Sequence, residues 1–197
     1  KNKKISLKVV LLLASVYFIS QFLRSALGMT ALDISSDFQL THEQLGRLGG
    51  IFFLSFALVQ IPLGIILDKL NPLRVIIVML LMIYIGTILL SVSNSYELIL
   101  LARVLQGIGC GACLMGPLVY LGKTSSKENF SKYSGIIMGI GGLGAIFAFS
   151  PFYVLTLQVG WKKSFFIFSF LIAVVASTLY LLKDKKSNNL IKTKKID

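Results

Sequence analysis

Arg24 and Arg103 carry the most chemical potential in this sequence, because each stands inside a long apolar run. An arginine at membrane depth costs at least a few kcal/mol unless it meets water or a polar partner. Around Arg24, the residues Tyr17, Gln21 and Gly28 recur at steps of four, three and four, which places all of them on one helix face. Arg103 opens a second stripe, with Gln106, Cys110, Cys113 and Pro117 at steps of three, four, three and four. Guanidinium groups flanked by amide and phenol side chains suit the binding of an anion. The alternatives are that Arg24 snorkels to a membrane surface and that Arg103 bonds to backbone where a helix is broken.

Bond-making chemistry needs groups that this chain does not bring together. A hydrolase within the membrane requires a nucleophile and a base at depth, or a histidine and carboxylate cluster for a metal. The single histidine, His42, lies in a polar stretch, and the acids stand near the ends of the apolar runs. Cys110 and Cys113 form a C-x-x-C without further soft ligands, so they read as small packing residues. We expect no enzyme, no metal site and no cofactor.

Positioning two buried arginines takes helices that cross a bilayer. The chain has 197 residues, of which 55% are hydrophobic and 14% charged, and its mean hydropathy is +0.82. Since a crossing needs about 20 apolar residues, this length holds roughly six crossings and no soluble domain. The predicted architecture is an all-α membrane protein with spans at about 9–32, 44–67, 73–92, 97–121, 133–157 and 164–182. A basic lead-in (1–8) precedes this 9–182 bundle, and a lysine-rich tail (183–197) without an apolar pattern follows it, where disorder is expected. The first span runs past signal-peptide length without a small-x-small cleavage site, so it reads as retained.

The connections carry their own signals. Residues 33–40 read as a polar loop, and Thr41 with Gln44 as a capping box that starts the second helix. Residues 123–132 read as a basic loop. Lys1, Lys3, Lys4, Lys8, Lys69, Arg74, Lys123, Lys127, Lys132 and the tail lysines fall on one side of a six-span layout, against Arg47, Lys162 and Lys163 on the other. That asymmetry puts both termini in the cytoplasm. A net charge of +12 gathered in this way sets orientation and does not point to nucleic acid.

Between the second and third spans, QIPLGIILDKLNPLR places Asp68 at a helix C-terminus, where a carboxylate opposes the macrodipole. Lys69, Arg74 or the N-terminus of another helix must compensate it. Gly64, one turn earlier, allows a close backbone approach. Glycines 107 and 111 in the fourth span and 135, 139 and 142 in the fifth also supply smooth faces for helix packing.

Taken together, Gly64-x-x-x-Asp68-Lys69 with Arg74, the run Arg103-x-x-Gln106-Gly107 and the glycine-rich fifth span resemble the N-terminal half of a major facilitator superfamily transporter. QIPLGIILDKLNP is similar to the branch that contains many organic-anion symporters. Asn71 stands where that loop usually has glycine, and Leu73 where a basic residue is usual; Gly139-Ile140 lacks the antiporter Gly-Pro. The resemblance implies a six-helix bundle built as a 3+3 inverted repeat, whose first and fourth spans line a central cavity. It implies secondary transport of a small anionic solute by alternating access, with a proton or sodium as coupling ion, in a bacterial cytoplasmic (inner) membrane. In that scheme Arg24 and Arg103, at similar depth, attract the solute. Tyr17, Gln21, Gln60 and Gln106 orient it. Gly64, Asp68, Lys69 and Arg74 bias the gate. The family uses two such halves, so a second six-helix half or a dimer partner is expected. The alternative is a truncated or half-size six-span protein that serves as an assembly partner without transporting alone.

Overall fold

The computed structural model describes the backbone of residues 5–193 and the side chains of residues 5–182. Lys1, Lys3 and Lys4 of the lead-in, the side chains of the tail lysines and the backbone of residues 194–197 lie outside the described residues. Eight helices follow one another without a strand among the described residues: α1 (Leu7–Phe38), α2 (His42–Lys69), α3 (Pro72–Ser91), α4 (Tyr96–Cys110), α5 (Ala112–Thr124), α6 (Lys127–Phe149), α7 (Pro151–Val159) and α8 (Trp161–Thr193). Two pairs are continuous in direction. Helices α4 and α5 share one span over Tyr96–Thr124, and α6 and α7 share another over Lys127–Val159, so the bundle has six helices long and apolar enough to cross a membrane.

Local chemistry sets the boundaries. Thr41 Oγ1 accepts from the Gln44 N–H (3.2 Å), and Gln44 Oε1 accepts from the Thr41 N–H (2.9 Å), which completes the capping box at the start of α2. At Asn71, where the loop of the resembling family usually has glycine, no left-handed backbone is required. Its backbone is extended (φ −68°, ψ 119°), and its Oδ1 accepts from the Leu73 N–H (3.0 Å) as the N-cap of α3, with Pro72 in the first turn. Within α5, Pro117 lacks the N–H that would bond the Cys113 carbonyl. Between α6 and α7 the helix is interrupted at Ser150-Pro151.

The predicted loops shrink. Helix α1 continues through 33–38 and stops at Gln39, whose left-handed backbone (φ 50°, ψ 45°) turns its N–H back onto the Ser35 and Ser36 carbonyls. Polar side chains at a membrane exit do not end a helix when no glycine or proline intervenes. For the same reason 127–132, predicted as loop, is the first part of α6, and Ser126 caps it. The backbone of α8 is helical to Thr193, beyond the span predicted to end at 182, and neither Gly nor Pro interrupts that stretch.

Packing is closest between α1 and α6, between α3 and both α4 and α8, and between α2 and α4. A cluster of aromatic rings ties α1, α7 and α8: Phe22 stacks on Phe168 (3.6 Å between centroids) and meets Phe152 edge-on (4.7 Å). At one rim Trp161 Nε1 donates to Asp37 (2.8 Å), and Lys162 Nζ donates to the Ser93 carbonyl (2.7 Å). Coverage is uneven. Of the most apolar window of α2, 22% is buried, and of α6–α7 28%, against 56% for α4–α5. Phe53, Leu54, Leu58, Ile61 and Ile65 on α2, and Met138, Leu143, Ile146 and Phe147 on α6, are therefore exposed.

Candidate functional site

A cleft of about 320 Å³ opens between α1, α2 and the α4–α5 junction. Helix α1 contributes Tyr17 and Arg24, and α2 contributes Phe56 and Gln60, one turn apart. Cys110, Gly111, Leu114, Met115 and Leu118 form the opposite wall. The Arg24 guanidinium lies over the Phe56 ring with Cζ 4.2 Å from the centroid, a cation–π contact that steadies the charge without neutralising it. Its Nε is buried and has no hydrogen-bond partner. A buried donor left open in this way is a group that a ligand can satisfy. Among the described residues, Arg24 is also the one charged side chain lining the cleft.

Arg103 does not share that space. It is 1% exposed and enclosed by protein. Its Nη1 donates to Gln106 Oε1 (2.9 Å) and, more weakly, to the Leu23 carbonyl of α1 (3.4 Å), while its Nε reaches the Leu48 carbonyl of α2 (3.4 Å). The Phe52 ring lies beneath it, with Cζ 4.3 Å from the centroid. Gln106, fully buried, passes the network on: its Nε2 donates to Thr87 Oγ1 (3.2 Å), which donates to the Ile83 carbonyl (2.8 Å) on α3. Of the two arginines, the structure places one at the cleft. Arg24 alone faces the cleft, and Arg103 with Gln106 forms a clamp that joins α1, α2, α3 and α4. Gln21 is half-buried and does not line the cleft.

The loop motif is laid out on the surface. Asp68, Lys69 and Arg74 are exposed, and no ion pair joins the Asp68 carboxylate to a cation among the described residues. Compensation at this helix end comes from a different residue. Lys123 Nζ, at the end of α5, donates to the Leu67 carbonyl (2.8 Å) and the Asp68 carbonyl (3.3 Å), a cation placed where the α2 macrodipole is negative. At Gly64 nothing lies within 4 Å of where a Cβ would stand.

Among the packing glycines, a Cβ at Gly107 would strike the Phe52 carbonyl and Ser55 Oγ, and one at Gly111 would press on Val59. Gly135, Gly139 and Gly142 have open space instead, because they face away from the bundle. The close approach of α6 to α1 falls at Gly141, against the Tyr17 ring, and at Gly144, against the Phe18 carbonyl.

Several of these residues left a signal in the sequence. Phe56 stands one turn before Gln60, and Leu114 and Leu118 follow Cys110 at steps of four, so the cleft walls are legible once one member is chosen. Thr87 is a hydroxyl within an uncharged span. Lys123 offers no local clue, since its acceptors lie more than fifty positions earlier. Among the described residues no group of three or more His, Cys, Asp or Glu side chains could hold a metal.

The model of the Major Facilitator Superfamily matches residues 13–196. The chain is 30% identical over 187 residues to Sodium-dependent phosphate transport protein 1, chloroplastic, of Arabidopsis thaliana, covering 91% of this chain and 35% of that protein. To the Probable sulfoacetate transporter SauU of Cupriavidus necator it is 27% identical over 156 residues, 77% of this chain and 35% of the relative. Among solved structures it is similar to a bacterial homolog of the human lysosomal transporter Spinster. In the inward-facing and occupied conformation that homolog gives a TM-score of 0.82 at 22% identity, over 92% of this chain and 45% of the other. The same homolog, inward-facing and unoccupied, gives 0.80 over 88% and 42%. At that identity the likeness establishes the fold alone. The chain spans about a third of the length of the curated relatives it matches.

Proposed function

The chain belongs to the Major Facilitator Superfamily, and from that premise we propose that it is the N-terminal six-helix half of a secondary transporter that moves a small anionic solute by alternating access. The observation that carries the proposal is Arg24, a cation in a cleft with a buried, unpartnered Nε and no carboxylate among the lining residues. Tyr17 and Gln60 orient the solute, and Phe56 holds the guanidinium in place. The printed names of two relatives, a phosphate transport protein and a probable sulfoacetate transporter, support an anionic cargo. Membership of the family speaks for a transporter and not an enzyme.

The exposed apolar faces of α2 and α6 support a second six-helix half packed over the cleft. Asp68 and Lys69, exposed and unpaired with each other, are then free to contact that half when one side of the membrane closes. A ligand drives such a closure only as far as it binds one state better than the other. Among the described residues no acid lines the cleft, so a proton-coupling carboxylate belongs to the second half, or another ion such as sodium supplies the coupling. The basic residues at one end of the bundle support an orientation with both termini in the cytoplasm.

The test is uptake in proteoliposomes containing the full-length protein. Arg24→Ala abolishes uptake and leaves membrane insertion intact, and Arg24→Lys restores only a small part because the planar fork is lost. Full uptake by Arg24→Ala removes the cleft from the solute path.

A further inference from the structure

We propose that the groove between α3 and α8 is a lipid site, which takes one acyl chain of an anionic phospholipid and holds its phosphate at Arg74. The groove has a volume of about 470 Å³ and is lined by Ile77, Leu81 and Tyr84 on α3 and by Ala176, Ser177 and Tyr180 on α8, among others. Nothing in the transport proposal uses it.

Three observations select the occupant. First, α3 and α8 pack on each other and scarcely on α2 or α6, the two least covered spans, so a second half that covers α2 and α6 leaves the α3–α8 groove to lipid. Second, the depth fits one leaflet. Residues 74, 77, 81 and 84 follow one another at steps of three, four and three, which puts Arg74 on the same face of α3 as the groove lining. From Arg74 to Tyr84 the helix rises about 15 Å, half of a hydrocarbon core of about 30 Å. An acyl chain anchored at Arg74 therefore ends near mid-membrane, where the lining ends.

Third, the charge is in the right place. Arg74 is exposed in the first turn of α3, at the membrane boundary, and no ion pair occupies it among the described residues. A basic side chain beside a groove between membrane helices suits an anionic head group. One such cation is expected to favour an anionic over a zwitterionic lipid by about fivefold.

Native mass spectrometry of the full-length protein, with phosphatidylglycerol and phosphatidylcholine of identical chains, tests the site. Wild type is expected to retain one additional phosphatidylglycerol with about fivefold preference. Arg74→Ala is expected to equalise the two lipids, and Ser177→Phe, which fills the groove from an exposed position, to lose that bound lipid of either kind. Equal retention of both lipids by wild type, or retention unchanged in Ser177→Phe, overturns the proposal. A photo-crosslinking amino acid placed at position 177 in an otherwise wild-type chain gives an independent readout. A lipid adduct supports the site, and an adduct to another protein segment overturns it.

Discussion

Replacing Arg103 with alanine separates two roles that a buried arginine can have, and the structure predicts a loss of stability. The substitution deletes a fully enclosed side chain, its bond to Gln106, two longer contacts to the Leu23 and Leu48 carbonyls and its stacking on Phe52. Leaving Gln106 Oε1 without a donor costs about 1–3 kcal/mol, and losing the desolvated cation–π contact adds up to about 2 kcal/mol. A cavity remains as well, and the two carbonyls lose little because each keeps its place in a helix. The sum is about 3–5 kcal/mol, at the upper end of what single substitutions do. At roughly 2–4 °C per kcal/mol for a chain of this size, the melting temperature in detergent should fall by about 10 °C. Pairing Arg103→Ala with Gln106→Leu removes the orphaned acceptor, so the double variant should be less destabilised than the sum of the singles by about 1 kcal/mol or more. Solute affinity of the folded fraction, read by titration against wild type, should change far less than in Arg24→Ala. A variant that melts with wild type yet has lost solute binding refutes the clamp and returns Arg103 to the solute path.

Two further substitutions probe the packing and the helix ends. Gly144→Ala drives a methyl group into the Phe18 carbonyl and should lower stability by about 1–3 kcal/mol in a melting assay. Lys123→Met removes the cation that caps α2 and should cost about 0.3–1 kcal/mol, with faster amide exchange confined to the residues around Leu70, whose N–H closes the last turn of α2.

How much of this was legible depends on how far apart in the sequence the partners lie. The capping box at Thr41 and the helix stop before Pro72 are local devices, decided within three or four residues, and the structure contains both. The six crossings follow from apolar length. Arg24 could be assigned to an inward face from its own stripe. Arg103 could not be assigned to the clamp, because its backbone acceptors at Leu23 and Leu48 lie 80 and 55 residues earlier and are invisible to periodicity. Glycines mislead in the same way. A run such as 139–144 shows that α6 has a smooth face, but only the position of α1 selects Gly141 and Gly144 for the contact. Residues 33–38 looked like a loop on polarity, although water at a membrane boundary tolerates polar side chains on a helix as readily as on a coil.

The interruption at Ser150-Pro151 has a mechanical consequence. Proline has no N–H to return to the carbonyl four residues before it, so at this level one rung of the helix ladder is missing. Bending α7 relative to α6 strains no bond at that step, while a sharp bend elsewhere along the span strains an intact rung. Helix α7 is only nine residues long and rests chiefly on α8 and α6. The last third of this span is therefore a ready-made knee, and tilting it reshapes one mouth of the bundle while the contacts of Gly141 and Gly144 with α1 stay as they are.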